Sequence, residues 1–201
     1  MVLKRSRVGY LFSSSVSRVV MHLPFHPNLY TLLSVLLAIS GMVVSLKNLP
    51  LAFTLFCLSF LMDVADGAAA RINGASSLRG AFNDGIADRI VETFVIITLA
   101  FFDIPTFLLT SKIWLMILLA FGTYMTSFIK AYAVHHGVIQ RGIAEEMPGL
   151  MERGERALFL LGILFLIMID QKLYAGVLLV LSSVLAVLTA IQRYLYVIRR
   201  G

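Results

Sequence analysis

Four aspartates stand in a 26-residue stretch of an otherwise oily chain: Asp63, Asp66, Asp84 and Asp88. Their spacing falls into two sets. Asp63, Asp66, Gly67 and Ala70 lie within about 100° of arc if the segment is helical, at 3.6 residues per turn. Gly80, Asp84 and Asp88 recur every four residues, which is one face of a second helix. A short connection between two helices makes them antiparallel neighbours, so the two acidic faces can meet. Gly67, Ala70 and Gly80 leave room beside the carboxylates for a ligand. All-oxygen carboxylate ligation suits Mg²⁺ or Mn²⁺. Such ions bind together with substrate phosphates, and two of them would stabilise the attacking and leaving oxygens of a phosphoryl transfer. The plainer alternative is a set of ion-paired helices, with Arg71, Arg79 and Arg89 as partners.

The elements that carry these residues must be membrane helices. Of 201 residues 59% are hydrophobic and only 14% charged, with a mean hydropathy of +0.90, against roughly 25% charged in a soluble domain. A charged Asp at the centre of a membrane helix costs on the order of 3 kcal/mol, so four of them need a reason. Six apolar segments, at about 29–46, 51–72, 82–103, 111–135, 155–170 and 173–198, approach the ~20 residues that cross a bilayer. The expected fold is all-α: six transmembrane helices over 22–201, preceded over 1–21 by an amphipathic helix on the membrane surface. Asn73-Gly74 is the expected break between the acidic helices, with Ser76 or Ser77 as N-cap. The tight Asp170-Gln171-Lys172 connection predicts a close pair from the last two spans. With six spans, all but Lys47, Lys112 and Lys172 of the seventeen Lys and Arg fall on one side, which places both termini in the cytoplasm. A net charge of +6 then faces anionic headgroups; no aromatic-interleaved basic surface for nucleic acid is present. Cys57 is the single cysteine, so no intrachain disulfide forms. There is no apolar run followed by a small-residue cleavage site at the N-terminus.

The string Asp63-x2-Asp66-Gly67-x2-Ala70-Arg71-x8-Gly80-x3-Asp84-x3-Asp88 resembles the signature of the CDP-alcohol phosphotransferase family at every fixed position. The resemblance extends to the six-span layout and the surface helix. It implies transfer of a phosphatidyl-type group from a CDP-alcohol, usually a CDP-lipid, to a second alcohol, with release of CMP. It further implies that Asp63, Asp66 and Asp84 are metal ligands. Asp88 would share a second ion and act as general base. Asp66, Gly67, Ala70, Arg71 and Gly80 would form the CDP site, and two protomers would pair as a homodimer. Physically, a cation and Arg71 would offset charge on the β-phosphate and the departing CMP.

A second polar group lies in the C-terminal half. Lys130 ends the fourth span, Arg153 and Arg156 open the fifth, and Arg193 sits one or two turns inside the sixth. Basic residues at span ends commonly reach back to the interface, which accounts for Arg156, Arg199 and Arg200. Lys130, Arg153 and Arg193 together would suit a phosphate. The run Met151-Glu-Arg-Gly-Glu-Arg156 resembles the corresponding segment of the inositol-phosphate-using members of the family. The expected acceptor is therefore inositol 1-phosphate, with glycerol 3-phosphate, serine or a water-soluble CDP-inositol donor as variants of the same chemistry. His22, His26, His135 and His136 do not form a metal site on this pattern. The alternative of another class is a cation transporter, which needs a polar trail toward the far side. Asp103 and Asp170 lie there without one linking them to Asp63.

Overall fold

The computed structural model describes the backbone of residues 27–72 and 77–201 and the side chains of 28–65 and 77–201. The expected surface helix over 1–21, the Asn73-Gly74 break, His22 and His26 lie outside the described residues. The regular elements among them are all helices, with no strand. The helices are α1 (Pro27–Val44), α2 (Leu49–Ile72), α3 (Leu78–Leu99), α4 (Ser111–His135), α5 (Arg141–Glu145), α6 (Arg153–Met168) and α7 (Lys172–Arg200). All except the five-residue α5 lie within four residues of an expected span boundary at each end. Two of them, α4 and α7, are long and apolar enough to cross a bilayer; α1 and the Leu49–Ala65 part of α2 are shorter apolar stretches. The chain divides into two compact units, one ending at Phe101 and one running from Phe102 to Gly201.

In the first unit α1 packs along α2 and α3. Asn48 starts α2 by accepting the Leu51 N–H at 3.0 Å, just ahead of Pro50, whose missing N–H costs nothing in a first turn. Gly41 lets the α1 backbone rest on the ring of fully buried Phe56. Three residues further along α2, the Ser59 hydroxyl donates to the Ser34 carbonyl at 2.6 Å, a buried tie between helices. Ser77 is the N-cap of α3, and its Oγ accepts from the Gly80 N–H at 2.9 Å, as the sequence predicts. From there Ala87, Asp88, Val91, Glu92, Val95, Ile96 and Leu99 form the buried face of α3.

In the second unit α7 is the central element, packed by α4 and α6. Ala175, Leu179, Ser183, Ala186, Thr189, Ala190 and Val197 line its buried stripe. Leu173, Val177, Leu181, Leu188, Ile191, Leu195 and Ile198 are exposed. A helix apolar all round suits lipid on its outer side. The Asp170 hairpin forms as expected: Asp170 takes a left-handed φ of 58°, with Asp170 N–H to Ile167 carbonyl at 3.0 Å and Gln171 N–H to Leu166 carbonyl at 2.7 Å. That is a Schellman end with Asp in the position glycine usually fills. Gly137, at φ 68°, closes α4 in the same way. After it, Ala133, Ile139, Ala144, Met147 and Val197 pack together and hold α5 against the ends of α4 and α7.

The periodicity of 111–135 predicts a plain helix. The structure instead widens Leu118–Met125 into a π-helical turn. Gly122, in its middle, is where three helices touch: an added Cβ would lie 3.0 Å from Arg156 Cδ and 3.4 Å from Ala186 Cβ. Such widened turns are frequent at functional sites.

Candidate active site

The first unit brings the two acidic faces together. Ligand oxygens of Asp63 on α2 and of Asp84 and Asp88 on α3 all lie within 4.8 Å of one another. Asp63 and Asp84 are half-buried, and Asp88 is buried. The helical phase explains this: Asp84 and Asp88 lead directly into the buried stripe of α3, and the Ser77 cap fixes where that helix begins. Among the described residues the ion-pair alternative is realised in part, at Asp88. Arg89 Nη1 lies 3.2 Å from Asp88 Oδ2 and also donates to the Gly85 carbonyl at 2.6 Å. Three carboxylates in one cluster are a hard-oxygen donor set, which a divalent cation fits. Asp66, Gly67, Ala70 and Arg71 lie on α2, with side chains outside the described residues. Gly80 stands in the first turn of α3, its N–H taken by Ser77.

In the second unit Lys130 is half-buried and lies in the electrostatic field of Arg193, Glu145 and Glu152. Arg193 Nη1 donates to the Thr126 carbonyl at 2.9 Å, just past the π-helical turn. Arg193 follows Thr189 by one turn on the buried stripe of α7, so its guanidinium is held against protein. Arg153 is the first residue of α6. Its entry is fixed by a reciprocal cap, in which Glu152 accepts from the N3 backbone and the Glu152 N–H donates to Glu155 Oε2 at 3.1 Å.

Arg156 departs from expectation. It is only 5% exposed, so it does not reach back to the interface; Leu160, Ile163, Leu164 and Ile167 continue its stripe along α6. Arg199 and Arg200 are exposed, with Arg200 above the Tyr196 ring at 5.4 Å. Glu92, 1% exposed and one turn beyond Asp88, is a buried carboxylate that the motif spacing does not include. Its signal is the continued four-residue repeat Asp84, Asp88, Glu92.

A family model described as CDP-alcohol phosphatidyltransferase matches residues 24–189. The chain belongs to the CDP-alcohol phosphatidyltransferase family. As a member it is a membrane-bound transferase of phospholipid synthesis that uses a CDP-alcohol, and the cation-transporter alternative falls. The family's chemistry is metal-dependent, in keeping with the carboxylate cluster. Among curated proteins the chain is 33% identical to the archaetidylinositol phosphate synthase of Aeropyrum pernix, over 85% of this chain and 82% of that one. Among solved structures it matches Mycobacterium tuberculosis phosphatidylinositol phosphate synthase with CDP-DAG bound. The TM-score is 0.73 at 24% identity, covering 92% of each chain. The same enzyme in complex with manganese and citrate matches at a TM-score of 0.71 and 24% identity, over 92% of this chain and 88% of that one. At that identity the likeness speaks for the fold.

Proposed function

We propose that this phosphatidyltransferase moves the phosphatidyl-type group of a CDP-lipid onto inositol 1-phosphate and releases CMP. The observation that carries the proposal is the meeting of Asp63, Asp84 and Asp88 within 4.8 Å inside the family signature. Kinship with an archaetidylinositol phosphate synthase supports the choice of acceptor, as does the basic trio Lys130, Arg153 and Arg193. Asp63, Asp66, Asp84 and Asp88 are proposed to hold two Mg²⁺ or Mn²⁺ ions, the carboxylate set being one such ions take. When bound, these ions supply charge neutralisation on the diphosphate and on the leaving oxygen. Gly67, Ala70, Arg71 and Gly80, with Asp66, form the cytidine diphosphate site, and Arg71 meets the diphosphate charge. Asp88 takes the proton of the acceptor hydroxyl. That oxygen then bonds to the β-phosphorus as the bond between the β-phosphorus and the bridging oxygen breaks, and CMP departs with the bridging oxygen. Arg89 at 3.2 Å keeps Asp88 oriented toward its cluster.

The membrane reading of 22–201 as one domain of six spans, after a surface helix over 1–21, completes the proposal. The excess of Lys and Arg on one side supports a cytoplasmic location for both termini and the active site. The protein works as a homodimer in this reading.

Purified protein supplied with a CDP-lipid, Mn²⁺ and one acceptor at a time tests it. CMP should appear with inositol 1-phosphate and far more slowly with free inositol, glycerol 3-phosphate or serine. Equal rates with inositol 1-phosphate and inositol would show that no phosphate is being read. Preference for serine would overturn the acceptor while leaving the family chemistry in place.

A further inference from the structure

The loop between α5 and α6 ends at Glu152, immediately before Arg153, and it rests on α7 at one well-defined place. The Met151 N–H donates to Thr189 Oγ1 at 3.0 Å, a buried bond between residues 38 apart. The Thr189 hydroxyl in turn donates to the Leu185 carbonyl at 2.7 Å, so its lone pair is aimed at the loop. Met151 and Thr189 are 1% and 0% exposed. A buried backbone N–H needs a partner, and Thr189 supplies it. Two residues earlier the loop passes close to the same stripe. A Cβ on Gly149 would stand 3.2 Å from Thr189 Cγ2 and 3.4 Å from Arg193 Nη2. Glycine there lets the backbone lie against both side chains at once. Thr189 and Arg193 are one turn apart on α7, so a single stretch of helix seats the loop and carries the arginine.

We infer that Thr189 is a positioning residue for acceptor specificity: it clamps the Gly149–Met151 backbone to α7 and so sets Arg153 relative to Arg193. This rests on the reading of Lys130, Arg153 and Arg193 as the site for the acceptor's phosphate. Two fixed points define the start of α6. One is the reciprocal cap of Glu152 and Glu155, which is local to the loop and helix. The other is Thr189, which ties them to α7. Without the second, the cap still forms, but Arg153 is free to shift as a unit with its helix start. The charge is unchanged and the aspartates proposed to bind metal are untouched. The loss should therefore fall on the acceptor alone.

Full-length protein in lipid vesicles, assayed for CMP release with inositol 1-phosphate as acceptor, separates the outcomes. Thr189→Val keeps the shape and removes the hydroxyl. It should raise the acceptor's KM about tenfold, the worth of one buried hydrogen bond, with the donor's KM unchanged. Thr189→Ser keeps both hydrogen bonds and should restore the wild-type KM. Gly149→Ala leaves Thr189 in place but pushes on its methyl and on Arg193; it should produce the same acceptor-selective rise, and it carries the test if Thr189→Val does not fold. Arg193→Ala is the control for the pocket. If Arg193→Ala raises the acceptor's KM and neither Thr189→Val nor Gly149→Ala does, the clamp is overturned alone. A rise in donor and acceptor KM together would mean a general structural role and overturn it too. If Arg193→Ala leaves the acceptor's KM unchanged, the pocket reading fails and the clamp with it.

Discussion

Replacing Asp84 by Asn should stabilise the metal-free protein while it destroys the enzyme. The carboxylate oxygens of Asp63, Asp84 and Asp88 lie within 4.8 Å of one another. At that separation and an effective dielectric of about 20, each ionised pair repels by about 3.5 kcal/mol. Proton uptake by the cluster caps the total well below the sum of three such pairs, and removing the Asp84 charge deletes two of the three repulsions. Asp63 and Asp84 are half-buried, so water screens part of this, and Arg89 offsets part at Asp88. A net gain of about 2 kcal/mol is a conservative share. For a chain of this size that corresponds to about 4–8 °C in melting temperature. The assay is thermal unfolding in detergent, with EDTA and then with Mn²⁺. In EDTA the Asp84→Asn protein should melt above wild type. With Mn²⁺ at about a hundred times its Kd, wild type should gain about 2.7 kcal/mol and the variant much less. A variant that melts below wild type in EDTA and gains as much from Mn²⁺ would refute the idea that these three side chains form a cation site.

The remaining predictions are briefer. Asp88→Asn should bind CDP-lipid with near-normal affinity yet turn over about 10²–10⁴-fold more slowly; loss of donor binding in proportion to rate would make Asp88 chiefly a ligand. Arg153→Ala and Arg193→Ala should each lower kcat/KM for inositol 1-phosphate by about tenfold to a hundredfold. Lys at 153 should rescue only partly, for lack of the bidentate fork; full rescue would remove that geometry from the argument. Gly176→Ala should cost about 1–3 kcal/mol in unfolding, because its Cβ would run into the Pro105 carbonyl; an unchanged melting temperature would contradict that close approach.

The meeting of Asp63, Asp84 and Asp88 was legible because its geometry is local. Asp84 and Asp88 are one turn apart, and Ser77 fixes the helix phase three residues before Gly80. Once α2 and α3 are helices, their faces are determined by counting. The long helices were legible for the same reason, their apolar runs being bounded by Asn48, Ser77 and the Asp170 hairpin. Glu92 was readable too, but the four-residue count stopped at the end of the family signature.

Burial among the basic residues was less legible, because it is a property of packing between segments far apart in sequence. Arg156 looks like Arg199 or Arg200 to any rule that counts distance from a span end. Its stem lies against Gly122, 34 residues earlier in the π-helical turn, where a Cβ would stand 3.0 Å from Arg156 Cδ. Nothing in the composition of Leu118–Met125 departs from an ordinary apolar helix. Thr189 reads as one more small polar residue on a membrane helix, since its Oγ1 also bonds back to Leu185 as such residues commonly do. Its second bond, to Met151, exists only because the loop before α6 returns to α7. A carboxylate stripe is thus written in one helical period. The acceptor pocket proposed from Lys130 on α4, Arg153 on α6 and Arg193 on α7 depends instead on which small residues let those segments approach, as Gly122 and Gly149 do.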